Sequence, residues 1–369
     1  MQDPYKPIRK FIDGYNERRA AVLIPGRFIV IDEAMCAYKG AERLFKGHPG
    51  TIHITKIPRK PKGVGIELKA SADGETGCLL QLEMQEGQVA EAKKFQRDPD
   101  NLPFHCAIVL RLTEKYFGTG RVVVGDAAFG SYLTASTLLS RGLFSLFVVK
   151  TCTSGFPNQY LLGWGSSNPD RGESIAVTTG EGNMFGVGWI SKPGMLKRFV
   201  CTCSTTLEGK GSAVHRTKRE IVDGIWQTNT IEKTTRRPKC IEELFWYFSA
   251  IDFNDRLRQG YLALELSWVT TIWWHRLFAT LIGMSFSCGY LAYCWEWKQY
   301  RTANEHVQSF AEFVDHACHG LIFNTDERSL RSDSSGSSAA AAANTSGSIS
   351  DLSNGSIHFR RISVSECIV

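Results

Sequence analysis

Four aspartates occupy positions where a folded chain could gather carboxylates. Asp32, followed by Glu33, is predicted to end the first strand, and Asp126 is predicted to end the fourth. Asp252 and Asp255 are three residues apart on a predicted helix, so both can face one site. Strand ends in open α/β sheets are where ligands and metals collect. Taken singly, each residue could equally be a helix cap, a turn former or part of a solvated face.

A set of carboxylates suits phosphodiester chemistry. Three or four of them can hold two Mg²⁺ ions about 3.5–4 Å apart, which stabilise the attacking and leaving oxygens together. Mg²⁺ prefers oxygen ligands and keeps bound waters, so acidic side chains suit it better than Cys or His. The residue types therefore permit a nuclease-like site, although composition alone does not select one.

Three basic clusters could neutralise phosphates. They are Lys56, Arg59, Lys60 and Lys62; His215, Arg216, Lys218 and Arg219; and Lys233, Arg236, Arg237 and Lys239. Clusters of this kind suit contacts with a nucleic-acid backbone, and a solvated loop is the competing interpretation. From the first and third clusters we predict DNA contacts by Lys56, Arg59, Lys60, Lys62, Arg236, Arg237 and Lys239.

The predicted elements that carry these residues follow a recognisable order. A buried strand at 27–31 precedes two strands, 65–72 and 78–84, joined at Asp73-Gly74. A helix follows Asn101 and Pro103, and a strand at 122–124 leads to Asp126. A helix capped by Ser131 and a strand at 143–149 complete a right-handed βαβ unit. Three strands with a hairpin, then a helix, then βαβ predict an α/β, RNase H-like fold with a mixed sheet flanked by helices.

The remainder of the chain divides by composition. Residues 1–26 are predicted to be an approach segment before the first part of the core, 27–150. Residues 151–235 are Gly-rich and predict a β- and loop-rich insertion, and 236–323 are predicted to be the helical C-terminal part of the core. Residues 324–369 lack the apolar side chains that offset ordering entropy, so a disordered tail is predicted.

Composition narrows the classes of protein. The chain has 369 residues and a net charge of +6, and its polar first residues lack a secretory core. The eleven cysteines show no regular framework, which favours free intracellular thiols, and no zinc is expected because His316, Cys318 and His319 lack a C-x-x-C partner. The apolar stretch 277–294 is near membrane-spanning length, but its Gly and Ser residues favour a buried core helix over a membrane anchor.

Several motifs resemble, in order, those of the piggyBac-type DDE transposases. Residues 32–35 (Asp-Glu-Ala-Met) and 38–40 (Tyr-Lys-Gly), with Lys60-Pro61, are similar to the first catalytic block. Residues 124–129, centred on Asp126, are similar to the second block, in which the following βαβ unit ends in a basic residue, here Lys150.

The third block completes the resemblance. Ser204-Thr205 is similar to the strand end that precedes it, and residues 237–239 and 251–255 resemble the block itself. Trp273-Trp274 is similar to the tryptophans that follow it. The similarity spans roughly residues 4–295 in one collinear order, and the combined order is more specific than any single motif.

The resemblance implies a function and a set of site residues. Asp32, Asp126 and Asp252 would bind the metal, and Asp255 would be an accessory catalytic carboxylate. The family uses Mg²⁺-bound water to nick double-stranded DNA at transposon ends, after which the freed 3′ hydroxyl attacks the opposite strand and then a target site. Two Mg²⁺ ions, a DNA partner and a nuclear location are therefore expected.

Departures from the family pattern support a second interpretation. Ala127, Glu67 and Ile272 replace residues usual in the family, as do the pairs Leu244-Phe245, Ser249-Ala250 and Ser287-Cys288. The family's N-terminal dimerisation and DNA-binding region is expected to be missing, so the chain is predicted to be truncated, although a homodimer stays open. The alternatives are an active transposase or nuclease core, a domesticated or decayed derivative that binds DNA or protein without cleaving it, and, with less support, a membrane-anchored protein.

Overall fold

A computed structural model describes residues 5–38, 52–58, 60, 62–87, 102–150, 154–202, 211–222, 225–300 and 306–323, with side chains omitted over 211–233. In chain order, the strands are β1 (Phe28–Ala37), β2 (Thr55–Lys56), β3 (Val64–Asp73), β4 (Leu79–Met84), β5 (Val122–Gly125), β6 (Phe144–Val148), β7 (Ser174–Thr178), β8 (Phe185–Lys192), β9 (Met195–Cys201), β10 (Gly211–Val222) and β11 (Ile225–Arg236). The α-helices are α1 (Lys6–Val22), α2 (Phe104–Thr113), α3 (Tyr132–Ser140), α4 (Asn158–Ser166), α5 (Lys239–Tyr247), α6 (Ala250–Leu257), α7 (Leu264–Ser267), α8 (Trp273–Tyr300) and α9 (Phe310–Phe323). A 3₁₀ turn, Glu114–Tyr116, follows α2, and a π-helical turn, Arg258–Leu262, follows α6.

The chain forms two compact units, Met1–Asn101 with Ala250–Val369, and Leu102–Ser249. In the first unit, β3 pairs antiparallel with β1 along one edge and with β2 and β4 along the other. Asp73 fixes the β3–β4 turn by accepting hydrogen bonds from the Thr76 amide (2.8 Å) and hydroxyl (2.6 Å). The hairpin predicted at Asp73-Gly74 is confirmed.

Strand β1 is longer than predicted. The prediction ended it at Asp32, but the strand continues to Ala37, so Asp32 lies within it and pairs with Ala70 of β3. The physical reason lies in the next residue: Glu33 is buried opposite Lys69 of β3, and their side chains form an ion pair at 3.3 Å. A charged residue is thus accommodated inside a strand by a partner that local sequence patterns do not show.

Helices cover the strands of the first unit. Helix α1 is tied to β4 by Asn16, whose side chain exchanges hydrogen bonds of 2.9 and 2.8 Å with the backbone of Leu82. Among the helices that the structure describes, α8 is the one that is long and apolar enough to cross a membrane. However, 67% of its most apolar segment is buried inside the protein. Part of that burial comes from α9, whose Phe313 and Val314 pack with Phe286 of α8. The core helix predicted over 277–294 therefore agrees with the packing.

In the second unit, the strands run in the order β5-β6-β9-β8-β7, with β5 and β6 parallel and the remaining pairs antiparallel. Strands β10 and β11 form a separate antiparallel hairpin. The Ser131 hydroxyl caps α3 by accepting from the Thr134 amide at 2.9 Å, as predicted. The chain after α3 turns through Gly142, which has a positive φ of 71°. The predicted β5–α3–β6 unit is confirmed, whereas Asn101 and the predicted tail lie outside the described residues.

Candidate active site

Asp32 lies on β1 with only 4% of its surface exposed. One oxygen, Oδ1, accepts a hydrogen bond from the Glu33 amide at 2.8 Å, and the other, Oδ2, lies 3.6 Å from Lys60 Nζ. Burial, reinforced by the neighbouring Glu33, raises the pKa of Asp32 to about 8, because the Lys60 ammonium offsets only part of the desolvation. The carboxylate therefore depends on a nearby cation for its charged form.

Lys60 supplies that cation and joins Asp32 to the second predicted site residue. Its Nζ donates to Asp252 Oδ1 at 2.6 Å and to the Glu33 carbonyl at 2.7 Å. The side chain is only 10% exposed; burial opposes its charge, but Asp32 and Asp252 outweigh burial and raise its pKa. The sequence predicts that Lys60 contacts DNA phosphates; in the structure its ammonium lies between two carboxylates, and the DNA contact stays a prediction.

The two aspartates of α6 have different partners. Asp252 is 43% exposed and pairs with Lys60, whereas Asp255 is buried and accepts from Arg258 Nη2 at 2.8 Å. Residues three apart on a helix lie about 60° apart around its axis, which allows neighbouring but separate contacts. The expectation that both aspartates face one site is thus met only in part, because Asp255 forms an ion pair with the buried Arg258.

Arg258 was missed by the sequence analysis. It is 1% exposed, and its guanidinium also bonds to Glu265 and donates to the Met35 carbonyl at 2.9 Å. Burial lowers its pKa, but Asp255 and Glu265 outweigh burial, so the net shift is upward. A Cβ on Gly283 of α8 would lie 2.8 Å from Arg258 Cγ, so the glycine makes room for this side chain. The sequence signal for this ion pair is the spacing of three residues between Asp255 and Arg258, which places both side chains on the same side of a helix.

Asp126 directly follows β5, as predicted, in the second compact unit. Its Oδ1 accepts from the Ala128 amide at 2.7 Å, and its carbonyl accepts from the Gly130 amide at 3.0 Å. These bonds hold the turn between β5 and α3 and leave the side chain half-buried. The convergence of Asp126 with Asp32 and Asp252 stays a prediction.

A buried charge cluster on β1 and β3 adjoins Asp32. Lys69 of β3 pairs with Glu33 at 3.3 Å and with Glu67 at 2.6 Å, and all three residues are buried. The side chain of Glu33 also interacts with the carboxyl group of Asp32 and helps to raise the pKa of Asp32. Glu67, where the family usually has a basic residue, therefore completes a buried ion cluster next to the site.

The predicted basic residues fall into different environments. Lys56 and Lys62 are exposed, and Arg59 lies outside the described residues. Arg236 and Lys239 are exposed, with Lys239 Nζ 4.0 Å from Glu242. Their predicted role in DNA binding stays a prediction.

The carboxylate site has the chemical character of a cation site. Two carboxylates and one main-chain carbonyl already surround the positive charge of Lys60, and oxygen donors of this kind suit Mg²⁺. Over the described ranges, no three His, Cys, Asp or Glu side chains are grouped as metal ligands. Asp32 and Asp252 are thus the residues that fit a divalent ion, with Lys60 as their present counter-charge.

Comparison with known proteins identifies the family. The family model described as Transposase IS4 matches residues 1–287, well over half of the chain. The chain belongs to this family of IS4/piggyBac-type DDE transposases. Members of the family generally use a divalent metal.

A solved structure confirms the fold. The cryo-EM structure of the piggyBac transposase synaptic complex with hairpin DNA is similar to this transposase-family chain, with a TM-score of 0.65 and 19% identity. The match covers 85% of this chain and 56% of that chain, so this chain spans little more than half the length of the protein it resembles. No curated protein matches the chain. The RNase H-like α/β fold predicted from the element order is confirmed.

Proposed function

We propose that this chain cleaves DNA by metal-dependent phosphoryl transfer, with Asp32, Asp126 and Asp252 as the metal-binding carboxylates. The observation that carries the proposal is the meeting of Asp32 and Asp252 on one cation, Lys60 Nζ, although the two aspartates lie far apart in the chain. Because the chain belongs to a DDE transposase family, we interpret this pair of carboxylates as part of a metal-binding catalytic site.

The metal proposed is Mg²⁺, as two ions. When bound, Mg²⁺ supplies an activated water and stabilises charge on the attacking and leaving oxygens. Asp32 would contribute a buried carboxylate held in orientation by the Glu33 amide, and Asp252 would contribute an accessible one. Asp255 would act as an accessory by holding Arg258, which bonds to the carbonyl of Met35 on β1. Asp255 is therefore best described as a positioning residue.

Lys60 has a defined part in this proposal. Its ammonium offsets part of the repulsion between Asp32 and Asp252 and, before a metal ion is bound, counteracts part of the rise that burial causes in the pKa of Asp32. The same oxygens cannot serve Lys60 and a divalent ion at full strength, so Lys60 would withdraw from at least one carboxylate.

The partner proposed is double-stranded DNA, encountered in the nucleus. Support comes from the net charge of +6 and from the exposed Lys56, Lys62, Arg236 and Lys239. The similar piggyBac structure was solved as a synaptic complex with hairpin DNA. Strand transfer needs two DNA ends held together, so full transposition would require a homodimer or a further protein.

A nicking assay tests the catalytic proposal. Purified protein is incubated with supercoiled plasmid and Mg²⁺ or Mn²⁺, beside Asp32→Asn, Asp126→Asn and Asp252→Asn. Asp315→Asn is the matched control, because Asp315 is an exposed residue of α9. We expect nicking by the wild type and by the control only, and only with metal. Equal nicking by all variants would reveal a contaminating nuclease and refute the assignment of the site.

A second candidate function is binding of DNA or protein without cleavage. The specific observation in its favour is that Lys60 already provides a positive charge between Asp32 and Asp252. The same assay separates the two functions. A wild type that is folded and binds duplex DNA, but nicks it with neither metal, supports this second function.

A further inference from the structure

A polar pocket in the second unit is lined by cationic side chains. Its volume is about 370 Å³, and it is lined by Trp164, Gly172, Glu173, Ser174, Arg236 and Pro238, together with Arg237. The pocket is lined by the loop before β7 and the start of β7, by the end of β11, and by Pro238, which precedes α5. The lining includes two arginines, whose guanidinium groups suit an anion, and one carboxylate, that of Glu173.

Two arginines near this pocket, Arg171 and Arg237, interact electrostatically. The charge of Arg171 contributes, after burial, to lowering the pKa of Arg237, which places the two guanidinium groups within electrostatic reach. In the part of the chain that the structure describes, the Nε atoms of both arginines are buried and have no hydrogen-bond partner. Buried donors without acceptors cost free energy, so two of them side by side indicate a missing anionic ligand.

The acidic groups nearby are engaged elsewhere. Glu242 is the nearest carboxylate that favours the charge of Arg237, but it lies 4.0 Å from Lys239 Nζ. Glu173 lines the pocket, but its Oε2 accepts from the Asp170 amide at 2.9 Å. Glu173 and Glu242 thus offset only part of the positive charge of Arg171, Arg236 and Arg237.

Aromatic contacts hold Arg237 in place. Its guanidinium lies 5.8 Å from the Trp189 ring centroid and 5.4 Å from that of Phe245. Trp189 is itself anchored, because its Nε1 donates to the Arg236 carbonyl at 2.9 Å. Cation–π contacts fix the plane of a guanidinium while leaving its N–H groups free to bind a ligand. The arginine is therefore positioned before any ligand binds.

The backbone brings the two arginines together. Gly172 has a positive φ of 92°, and a Cβ at this position would lie 3.1 Å from the Arg236 amide nitrogen. The glycine lets the Arg171 loop lie against the end of β11. Helix α5 begins beside the pocket after Pro238 and has no side-chain cap, so its positive dipole end adds to the field of the arginines.

We propose that Arg171, Arg236 and Arg237 form a phosphate-binding site that holds one backbone phosphate of a nucleic acid. This assignment rests on the proposed function only in naming nucleic acid as the source of the phosphate. The site lies in a pocket other than the carboxylate site, and its binding needs no metal. A guanidinium pair can engage phosphate oxygens through several N–H donors, which a lysine cannot do.

Binding in EDTA tests the site independently of cleavage. Affinity of the full chain for a short DNA duplex is measured by fluorescence anisotropy between 50 and 200 mM salt, for wild type, Arg171→Gln, and Arg171→Gln with Arg237→Gln. Arg141→Gln is the matched control, since Arg141 is an exposed arginine of the same unit at the end of α3.

We expect the double variant to lose about tenfold or more in affinity, and its salt slope to fall by about 1, as for one lost phosphate contact. Arg171→Gln should show part of this loss, and it leaves the aromatic packing of Arg237 intact. Unchanged affinity and slope in both variants would overturn the site. Protection of the wild type against heat by inorganic phosphate, without loss of duplex affinity in the variants, would overturn nucleic acid as the source.

Discussion

Asp255→Asn tests whether this aspartate acts by holding the fold at α6. The substitution keeps the shape of the side chain but removes the negative charge that faces Arg258 Nη2 at 2.8 Å. Arg258 is 1% exposed at its side chain and Asp255 is 11% exposed, so water cannot replace the lost charge. We expect the protein to fold but to be less stable.

The magnitude follows from what remains around Arg258. Removing one partner of a fully buried pair costs about 3–5 kcal/mol when the other charge is left alone. Here Glu265 and the Met35 carbonyl still bind the guanidinium. The loss therefore approaches that of one charge-assisted hydrogen bond, about 1.5–3 kcal/mol. We expect a decrease of about 2 kcal/mol in the free energy of unfolding.

Urea unfolding followed by circular dichroism measures this change. Asp13→Asn removes the same charge from an exposed position of α1, where substitutions usually stay within about 0.5 kcal/mol. Combining Asp255→Asn with Glu265→Gln should cost more than the sum of the single changes, because both residues serve one guanidinium. Asp255→Asn with the stability of the wild type would show that the buried ion pair contributes nothing and would refute the positioning role.

Three further substitutions have defined outcomes. Lys60→Met removes the counter-charge of the two site carboxylates and should lower stability by about 1–3 kcal/mol, with part of the loss restored by Mn²⁺ in a thermal melt; a melt insensitive to Mn²⁺ would contradict the cation site. Gly142→Ala places a Cβ 2.7 Å from Gly118 Cα at a φ of 71°, and should cost about 2 kcal/mol or more in urea unfolding, against little change if the turn can relax. Ser131→Ala removes the cap that accepts from the Thr134 amide and should cost about 1 kcal/mol, restored by Ser131→Asp.

The elements that the sequence predicted best are those fixed by local chemistry. Strand β5, the Ser131 cap and the turn at Gly142 follow from short-range patterns, and so does the turn at Asp73. Each depends on residues within a few positions of one another. Local rules suffice there because the stabilising partner lies in the same turn or helix.

The contacts that the sequence did not predict join distant residues. Lys60 and Asp252 are 192 positions apart, and Arg258 and Met35 are 223 apart. A basic residue near a basic cluster is typical of a phosphate-binding surface, and nothing in the cluster itself indicates that one member turns inward. The end of β1 was misplaced for the same reason, because the burial of Glu33 depends on Lys69 of another strand.

The division of labour on α6 explains how one short helix can serve both stability and chemistry. Asp255 faces a buried arginine that also bonds to the Met35 carbonyl of β1, which fixes the helix against the strand. Asp252, one turn earlier and 43% exposed, is then held near Asp32 of the same strand without contributing to the core. A metal ligand must be accessible and yet positioned to within a fraction of an ångström, and a more buried neighbour on the same helix supplies that precision. Loss of Asp255 should therefore displace Asp252 as well as destabilise the fold.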